Sequence, residues 1–331
     1  VSTGSGTSEI RDTIHWKLPF HPLTFWTAPF TVKGRMKQMF AYRTLRVQED
    51  LKRIAMYADQ PKQKVLISGS TGLIGMQLTA FLQAAGHDVT RLVRPSTKLP
   101  SDVQHEACVV WNDQTGEVLE GSMEGFDTVI HLAGAGIGDK RWNAKRKALI
   151  ESSRTVPTKQ LVDHFTRLER PPKTFLCASA VGIYGNRGEE KLTENSAPGE
   201  NFLATTCLNW EAAGAAAKEA GIRTAWIRTG IVTTPMGGAL QKLLLPAKLG
   251  AGGPAGGGRQ YYSWISLDDQ IYATYHLMMN ESCEGAYNFT APEPVTQKQY
   301  AKVLGRVLRR PAFAPAPGFM LKLMLGEMAQ A

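Results

Sequence analysis

The sequence predicts an α/β fold: a doubly wound parallel sheet covered by helices on both faces, with a helical extension before it and a smaller lobe after it. Three observations predict this. From Lys64 onward, short apolar runs alternate with helix-length amphipathic runs, the pattern of strands buried on both faces. The first of these strands leads straight into three glycines three residues apart, Gly69, Gly72 and Gly75, and then into a helix. The residues from about Ile10 to Asp59 show a helical period without any such alternation.

Composition narrows the class. With 331 residues, 43% hydrophobic and 20% charged, the chain is long enough for one large or two modest globular domains and is not a disordered polymer. No run approaches the roughly 18 consecutive apolar residues of a membrane span. The four cysteines (Cys108, Cys177, Cys207, Cys283) lie far apart, which argues against a zinc site or a disulfide framework and fits a reducing cytoplasm. The seven histidines show no metal-ligand spacing, so no metal is expected. A net charge of +9 raises the question of nucleic acid, but the early basic residues (Lys33, Arg35, Lys37, Arg43, Arg46, Lys52, Arg53) sit on one candidate helix without a recognition motif. A solvated helix face is the reading adopted, and neither nucleic acid nor membrane is expected as a partner. Val1 to Ser8 is rich in Ser, Gly and Thr and carries no signal-peptide pattern.

In chain order, Thr13–Leu18 reads as a strand, Phe30–Met56 as a long amphipathic helix, and Gln60 to Lys62 as a hinge. Lys64–Ser68 is a buried strand, Gly75–Ala85 a helix and Asp88–Val93 the next strand. Thr128–Leu132, Thr174–Ala178 and Thr224–Ile227 follow as strands, with a helix over Thr205–Ala217. Beyond Pro235 glycine and proline increase, as expected of a smaller lobe facing a substrate. The predicted division is therefore 1–61, 62–235 and 236–331.

The segment "VLISGSTGLIGMQL" carries the most specific signal. The first glycine permits a tight turn, the second lets backbone approach a pyrophosphate, and the third allows close packing of helix on strand. The helix then offers unpaired N–H groups and its positive dipole end to an anion. This is a Rossmann-type dinucleotide site, and Gly69, Ser70, Thr71, Gly72, Leu73, Ile74 and Gly75 are its expected cofactor-binding residues. The second strand ends in Val93 and Arg94 instead of the acid that accepts from an NAD ribose. A guanidinium there pairs with a 2′-phosphate, so NADP(H) is the expected cofactor, held by Arg94. Arg91, three residues earlier, is the weaker candidate for that phosphate or else a solvent-facing strand residue.

The GxxGxxG spacing together with "VIHLAGAG" resembles the extended short-chain dehydrogenase/reductases, in which Leu132, Ala133 and Gly134 would lie beside the cofactor. Within that group the chain is similar to an atypical "epimerase family", sometimes labelled nucleoside-diphosphate-sugar epimerases or cell-division-inhibitor-like. The likeness rests on "RWN" (Arg141–Asn143), "SAVGIYGNRGEEKLTE" from Ser179, "NWEAA" from Asn209, "IRTGIV" from Ile227, "GGGRQYYSWISLDD" from Gly256 and "YNFTAPEPVT" from Tyr287. It runs from about Lys64 to the last residue and implies a chain cut short after "LGEMAQA". "DTIHWKLP" and "MFAYRTLRVQEDL" resemble the end of a helix-grip (START-like) domain, so the first segment is read either as a remnant of one or as a plain helical extension.

The resemblance also implies a catalytic Ser, Tyr and Lys, the last two spaced YxxxK on one helix, with the lysine holding the nicotinamide ribose. Ser179 matches the serine. "TTCLNWEAAGAAAKEA" holds no such tyrosine and lysine, and Tyr184 is followed four residues later by Gly188. Ser179 and Tyr184 are the catalytic candidates, with Glu211 and Glu194 as further acids. Tyr262 stands where related nucleotide-sugar enzymes place a diphosphate-clamping arginine, with Arg259 nearby, and Ile231 where they place an asparagine; both weaken that substrate class. The glycine-rich run Gly250–Gly258 is read as a flap or a surface loop. Trp264, Asp268 and Asp269 are assigned no chemistry. Three functions stay open: hydride transfer on a small carbonyl or alcohol with a non-standard proton donor, nucleotide-sugar epimerisation, and non-catalytic regulation through bound NADP(H).

Overall fold

The computed structural model describes residues 12–15, 32–103, 107–314 and 326–330. It divides into two compact units, Val1–Ala58 and Asp59–Ala331.

Among the described residues of the first unit the main element is α1 (Gly34–Ala55), which buries none of its residues. Its basic side chains are partly neutralised within the unit: Arg46 pairs with Asp50 and Arg53 with Glu49 at i,i+4 spacing, and Arg43 pairs with Asp12. That accounts for much of the early positive charge without an external partner. The expected strand at Thr13–Leu18 is irregular backbone at 13–15, and the rest of it lies outside the described residues.

The second unit runs β1 (Lys64–Ser68), α2 (Leu73–Ala84), β2 (Asp88–Val93), β3 (Cys108–Trp111), β4 (Val118–Glu120), β5 (Thr128–His131), α3 (Ala144–Phe165), β6 (Thr174–Ala180), α4 (Phe202–Ala213), α5 (Ala216–Glu219) and β7 (Arg223–Thr229). It continues through β8 (Ile231–Thr233), α6 (Gly238–Lys248), β9 (Tyr261–Tyr262), β10 (Trp264–Ser266), α7 (Leu267–Met279), β11 (Gly285–Phe289), β12 (Val295–Thr296) and α8 (Gln297–Leu308). Eight strands form one sheet in the order β11-β7-β6-β5-β1-β2-β3-β4, parallel except for the antiparallel edge pair β3–β4. This is the doubly wound Rossmann arrangement. The chain winds from β1 outward through β2 and β3, then returns to β5 on the other side of β1. The strand order therefore reverses between β1 and β5, and ligands bind at the carboxyl ends of the strands at such a reversal.

Leu66, Val129 and Phe175 pack against Leu161, Phe165 and Trp210 from α3 and α4, forming one face of the core. On the other, Phe81 of α2 meets Tyr272 and Tyr275 of α7 edge-on. In the second unit, the strands read from the sequence are present within two residues at each end. Residues beyond Pro235 are not all outside the sheet: β11 joins its edge against β7, and α7 packs on α2. The helix expected over Thr205–Ala217 breaks at Gly214, where a Cβ would stand 2.5 Å from the Trp226 ring; helix and strand approach too closely for a side chain. Among the described residues no helix is long and apolar enough to cross a membrane.

Candidate functional site

A cavity of about 360 Å³ opens at the reversal point between β1 and β5. Its floor is the turn from β1 into α2. Gly69 has φ +70°, and a Cβ there would lie 2.8 Å from the backbone of Leu132 and Ala133, so this turn is pressed against the end of β5. At Gly75 a Cβ would lie 2.2 Å from the Gly69 carbonyl oxygen, the close packing of helix on turn that only glycine allows. At Gly72 it would meet just that carbonyl, at 3.2 Å, which leaves the cavity side of Gly72 open. Gly72 begins α2 with extended backbone, no side-chain cap and no acid in the first turn. The N–H groups of Leu73, Ile74 and Gly75 therefore have no partner four residues back and lie at the positive end of the helix. Ser70 Oγ is buried in the same turn without a hydrogen bond. An orphaned hydroxyl beside open N–H donors fits the acceptor oxygens of a pyrophosphate.

Of the residues expected to hold a cofactor, Gly69, Ser70, Thr71, Gly72, Arg94, Leu132, Ala133 and Gly134 line the cavity, and Leu73, Ile74 and Gly75 form the first turn of α2. Arg94 is largely exposed at its rim, 3.7 Å from Asp113, and its N–H donates to Thr97 Oγ1 at 3.1 Å. Arg91 corrects the expectation for it. It is buried, and its guanidinium donates to the Ser70 carbonyl oxygen at 2.8 Å, so it braces the turn from inside the sheet. Thr97, Trp111, Asp113, Leu149 and Ser153 also line the cavity and were not read from the sequence. Trp111 and Asp113 come from β3 and the residues after it; the β-branched and aromatic run Val109–Trp111 was the available signal. Beneath the cavity Ser68 and His131 share a buried 2.6 Å hydrogen bond, and burial pushes the His131 pKa down to about 4.

Beyond β5 lies a second polar assembly. Ser179 Oγ donates to Glu211 at 2.6 Å. Arg228 grips the same carboxylate with Nε and a terminal nitrogen, both at 2.9 Å, while both side chains are mostly buried. Glu211 holds the Arg228 guanidinium above its ordinary pKa, against the opposing effect of burial. Arg228 also donates to the Tyr184 oxygen and to the Glu194 carbonyl, each at 3.0 Å. Tyr184 donates in turn to Asn288 Oδ1 at 2.6 Å, and the Asn288 N–H donates to the Glu194 carboxylate at 2.7 Å. The register places Ser179 directly opposite Arg228 on β6 and β7, which is why these side chains meet.

The predicted catalytic pair, Ser179 and Tyr184, is thus joined through Glu211 and Arg228 and not directly; neither lines the cavity. Four motifs separated in sequence converge here: "SAVGIYGNRGEEKLTE", "NWEAA", "IRTGIV" and "YNFTAPEPVT" supply Ser179, Tyr184, Glu194, Glu211, Arg228 and Asn288. Arg228 and Asn288 were not singled out from the sequence, because their partners come from distant segments. Other motif residues are architectural. Trp142 donates to the Ile137 carbonyl and packs edge-on against Phe202, and Asn143 caps α3 by accepting from the Arg146 N–H. Ser266 caps α7 through the Asp269 N–H. The Gly250–Gly258 run is tied to the start of α8: Ala255 N–H donates to Gln297 Oε1, and Lys298 N–H to the Gly258 carbonyl.

Comparison with known proteins decides the family. Residues 65–289 match the model described as the NAD dependent epimerase/dehydratase family. The chain belongs to that family. Among curated members, an epimerase family protein of Mycobacterium bovis is 36% identical over 265 residues, 80% of this chain and 85% of that one. The crystal structure of the human epimerase family protein SDR39U1 (isoform 2) with NADPH superposes with a TM-score of 0.72 at 30% identity, covering 80% of this chain and 87% of that one. A nucleoside-diphosphate sugar epimerase from Corynebacterium glutamicum gives 0.70 at 33% identity, covering 88% of this chain and 66% of that one. These members of the epimerase/dehydratase family confirm the extended short-chain dehydrogenase/reductase resemblance and the Rossmann-type fold.

Proposed function

We propose that this chain is an NADP(H)-binding oxidoreductase of the extended short-chain dehydrogenase/reductase group, acting on a small carbonyl or alcohol. The observation that carries the reading is the cradle: a glycine turn closed against β5, open N–H donors at the start of α2, an orphaned Ser70 hydroxyl and Arg94 at the rim. The first turn of α2 and Ser70 would hold the pyrophosphate and Arg94 the 2′-phosphate, while Leu132, Ala133 and Gly134 would flank the dinucleotide beyond β5. When bound, the nicotinamide ring gives or takes a hydride. The NADPH recorded with human SDR39U1 supports this choice of cofactor.

Ser179, buried and outside the cofactor cavity, would be the residue of this network that meets substrate. Its proton is directed to Glu211 at 2.6 Å, so the oxygen offers lone pairs to a hydroxyl group. A substrate alcohol would donate to Ser179 Oγ, and on oxidation its proton would pass to that oxygen as the serine proton moves to the Glu211 carboxylate. Tyr184, with its proton on Asn288 and its oxygen accepting from Arg228, would position Arg228. We assign the dinucleotide part to 62–235 and the substrate-side lobe to 236–331, with 1–61 as the end of a helix-grip domain or a plain helical extension. The four free cysteines support a reducing, cytoplasmic location.

A second reading, a regulator that binds NADP(H) without turnover, is favoured by the absence of tyrosine and lysine from α4. Transfer of deuterium from 4-deuterated NADPH to products across a panel of small carbonyls, and from deuterated alcohols to NADP⁺, separates the two. Label in a product is expected of the oxidoreductase; tight binding with no transfer in either direction would leave the regulator. Interconversion of sugar nucleotides without net cofactor consumption would instead identify an epimerase.

A further inference from the structure

α4 brings no lysine to the site, yet a cation stands beside it. Arg154, on α3, lies one residue after Ser153 and five after Leu149, both of which line the cavity. Its guanidinium is pressed against Gly134: a Cβ on that glycine would stand 3.2 Å from Arg154 Cζ. From α4, Trp210 presents its ring 5.1 Å from the same carbon. Cys207, also on α4, and Arg146, on α3, complete the charged and titratable surroundings.

Arg154 has little to satisfy it. Among the described residues its hydrogen bond runs to the Ile150 carbonyl of its own helix, at 2.8 Å, and no carboxylate pairs with it. Burial lowers its pKa, and Arg146 adds to the penalty. A half-buried cation without a counter-ion is costly, and the guanidinium donors that the Ile150 carbonyl does not serve stay open to an acceptor from outside. The place matters as much as the deficit. β2 and β5 flank β1, so Arg94 after β2 and Gly134 after β5 lie on opposite sides of the glycine turn. With the 2′-phosphate at Arg94, the other half of the dinucleotide runs toward Gly134.

We propose that Arg154 replaces, from α3, the lysine that α4 lacks: its guanidinium holds the ribose-phosphate half of the cofactor on the nicotinamide side. Arginine suits the task, because its planar fork reaches two ribose hydroxyls or two phosphate oxygens at once, and the Trp210 ring holds the cation in place by a cation–π contact. The inference rests on the cofactor reading above and is separable from it with 2′,5′-ADP, which carries the adenosine half and its 2′-phosphate but no nicotinamide ribose.

Dissociation constants for NADPH and for 2′,5′-ADP are measured on the unmodified protein, Arg154→Gln and Arg154→Lys. Arg154→Gln is expected to weaken NADPH about tenfold or more while leaving 2′,5′-ADP within about twofold, and Arg154→Lys to retain most of the NADPH affinity. Unchanged NADPH binding in Arg154→Gln, or equal weakening of both ligands, overturns the proposal. If Arg154→Gln loses its cooperative thermal transition, the same comparison on Arg154→Met, which keeps the side chain's length over Trp210, decides between these results. Failure of the unmodified protein to bind either ligand removes the cofactor reading, and this proposal with it.

Discussion

The two sides of β1 are built on opposite principles. On the cradle side, polar groups are left open: the first N–H groups of α2, the Ser70 hydroxyl and the exposed guanidinium of Arg94. Beyond β6 the reverse holds, for Ser179, Glu211, Arg228, Tyr184, Asn288 and Glu194 bond to one another in an unbroken series. Open donors in a concave site fit a ligand; a closed ion-pair network fixes geometry. The difference teaches that the cradle follows the general pattern of its fold, while the region where the resemblance implies a tyrosine and a lysine holds a carboxylate and an arginine.

The largest effect should follow from opening the closed side. Arg228→Met leaves a mostly buried Glu211 carboxylate without its bidentate partner, and unfolding free energy in urea should fall by about 3–5 kcal/mol. The double variant Glu211→Leu/Arg228→Met should lose less than the sum of its single changes, because neither charge is then stranded. NADPH affinity should stay within about threefold if the two sides are independent, and a parallel collapse of cofactor binding would break the comparison.

Gly75→Ala tests the cradle from the opposite direction. Its Cβ would stand 2.2 Å from the Gly69 carbonyl oxygen, so the turn must shift. Stability should fall by about 1–3 kcal/mol and NADPH affinity by more than about tenfold. Normal affinity would show that the turn is not where the cofactor sits.

Beneath the cradle, burial lowers the pKa of His131 to about 4, and burial with the nearby Lys62 charge does the same for His87. Both values lie below the ordinary 6.5. Between these limits the unfolded chain takes up protons that the folded chain refuses. Their contribution is therefore complete above pH 6.5 and is lost as the pH falls toward 4. Urea midpoints should decline from pH 6.5 to about 5, above the range where most carboxylates protonate, and His131→Asn should flatten that decline. A flat profile in the unmodified protein contradicts it.

Tyr184→Phe should have the smallest effect, about 1 kcal/mol for hydrogen bonds to Asn288 and Arg228. With a true substrate in hand, unchanged NADPH oxidation in this variant rules out Tyr184 as the proton donor and keeps it as a positioning residue.

Local chemistry was the part of this molecule legible from sequence. The glycine turn could be read because each glycine answers a contact only a few residues away or at the end of the neighbouring strand. The buried apolar strands could be read for the same reason, their pattern being carried within each segment. Arg91 was misread because position along a strand does not by itself tell which face is covered; the brace to Ser70 exists only once β2 lies beside β1. Ser179 and Glu211 could each be named, but not their bond, which depends on α4 packing against β6. Arg154 escaped notice because a basic residue in a helix rich in Lys and Arg reads as solvated surface, and only Gly134 and Trp210 reveal its enclosure.

A site for a 2′-phosphorylated dinucleotide is tested most directly by fluorescence titration of the unmodified protein with NADPH and with NADH, repeated on Arg94→Asp. It predicts tighter binding of NADPH by about tenfold or more, and loss or reversal of that preference when the guanidinium is replaced by a carboxylate. Equal affinity of the unmodified protein for the two cofactors would contradict it.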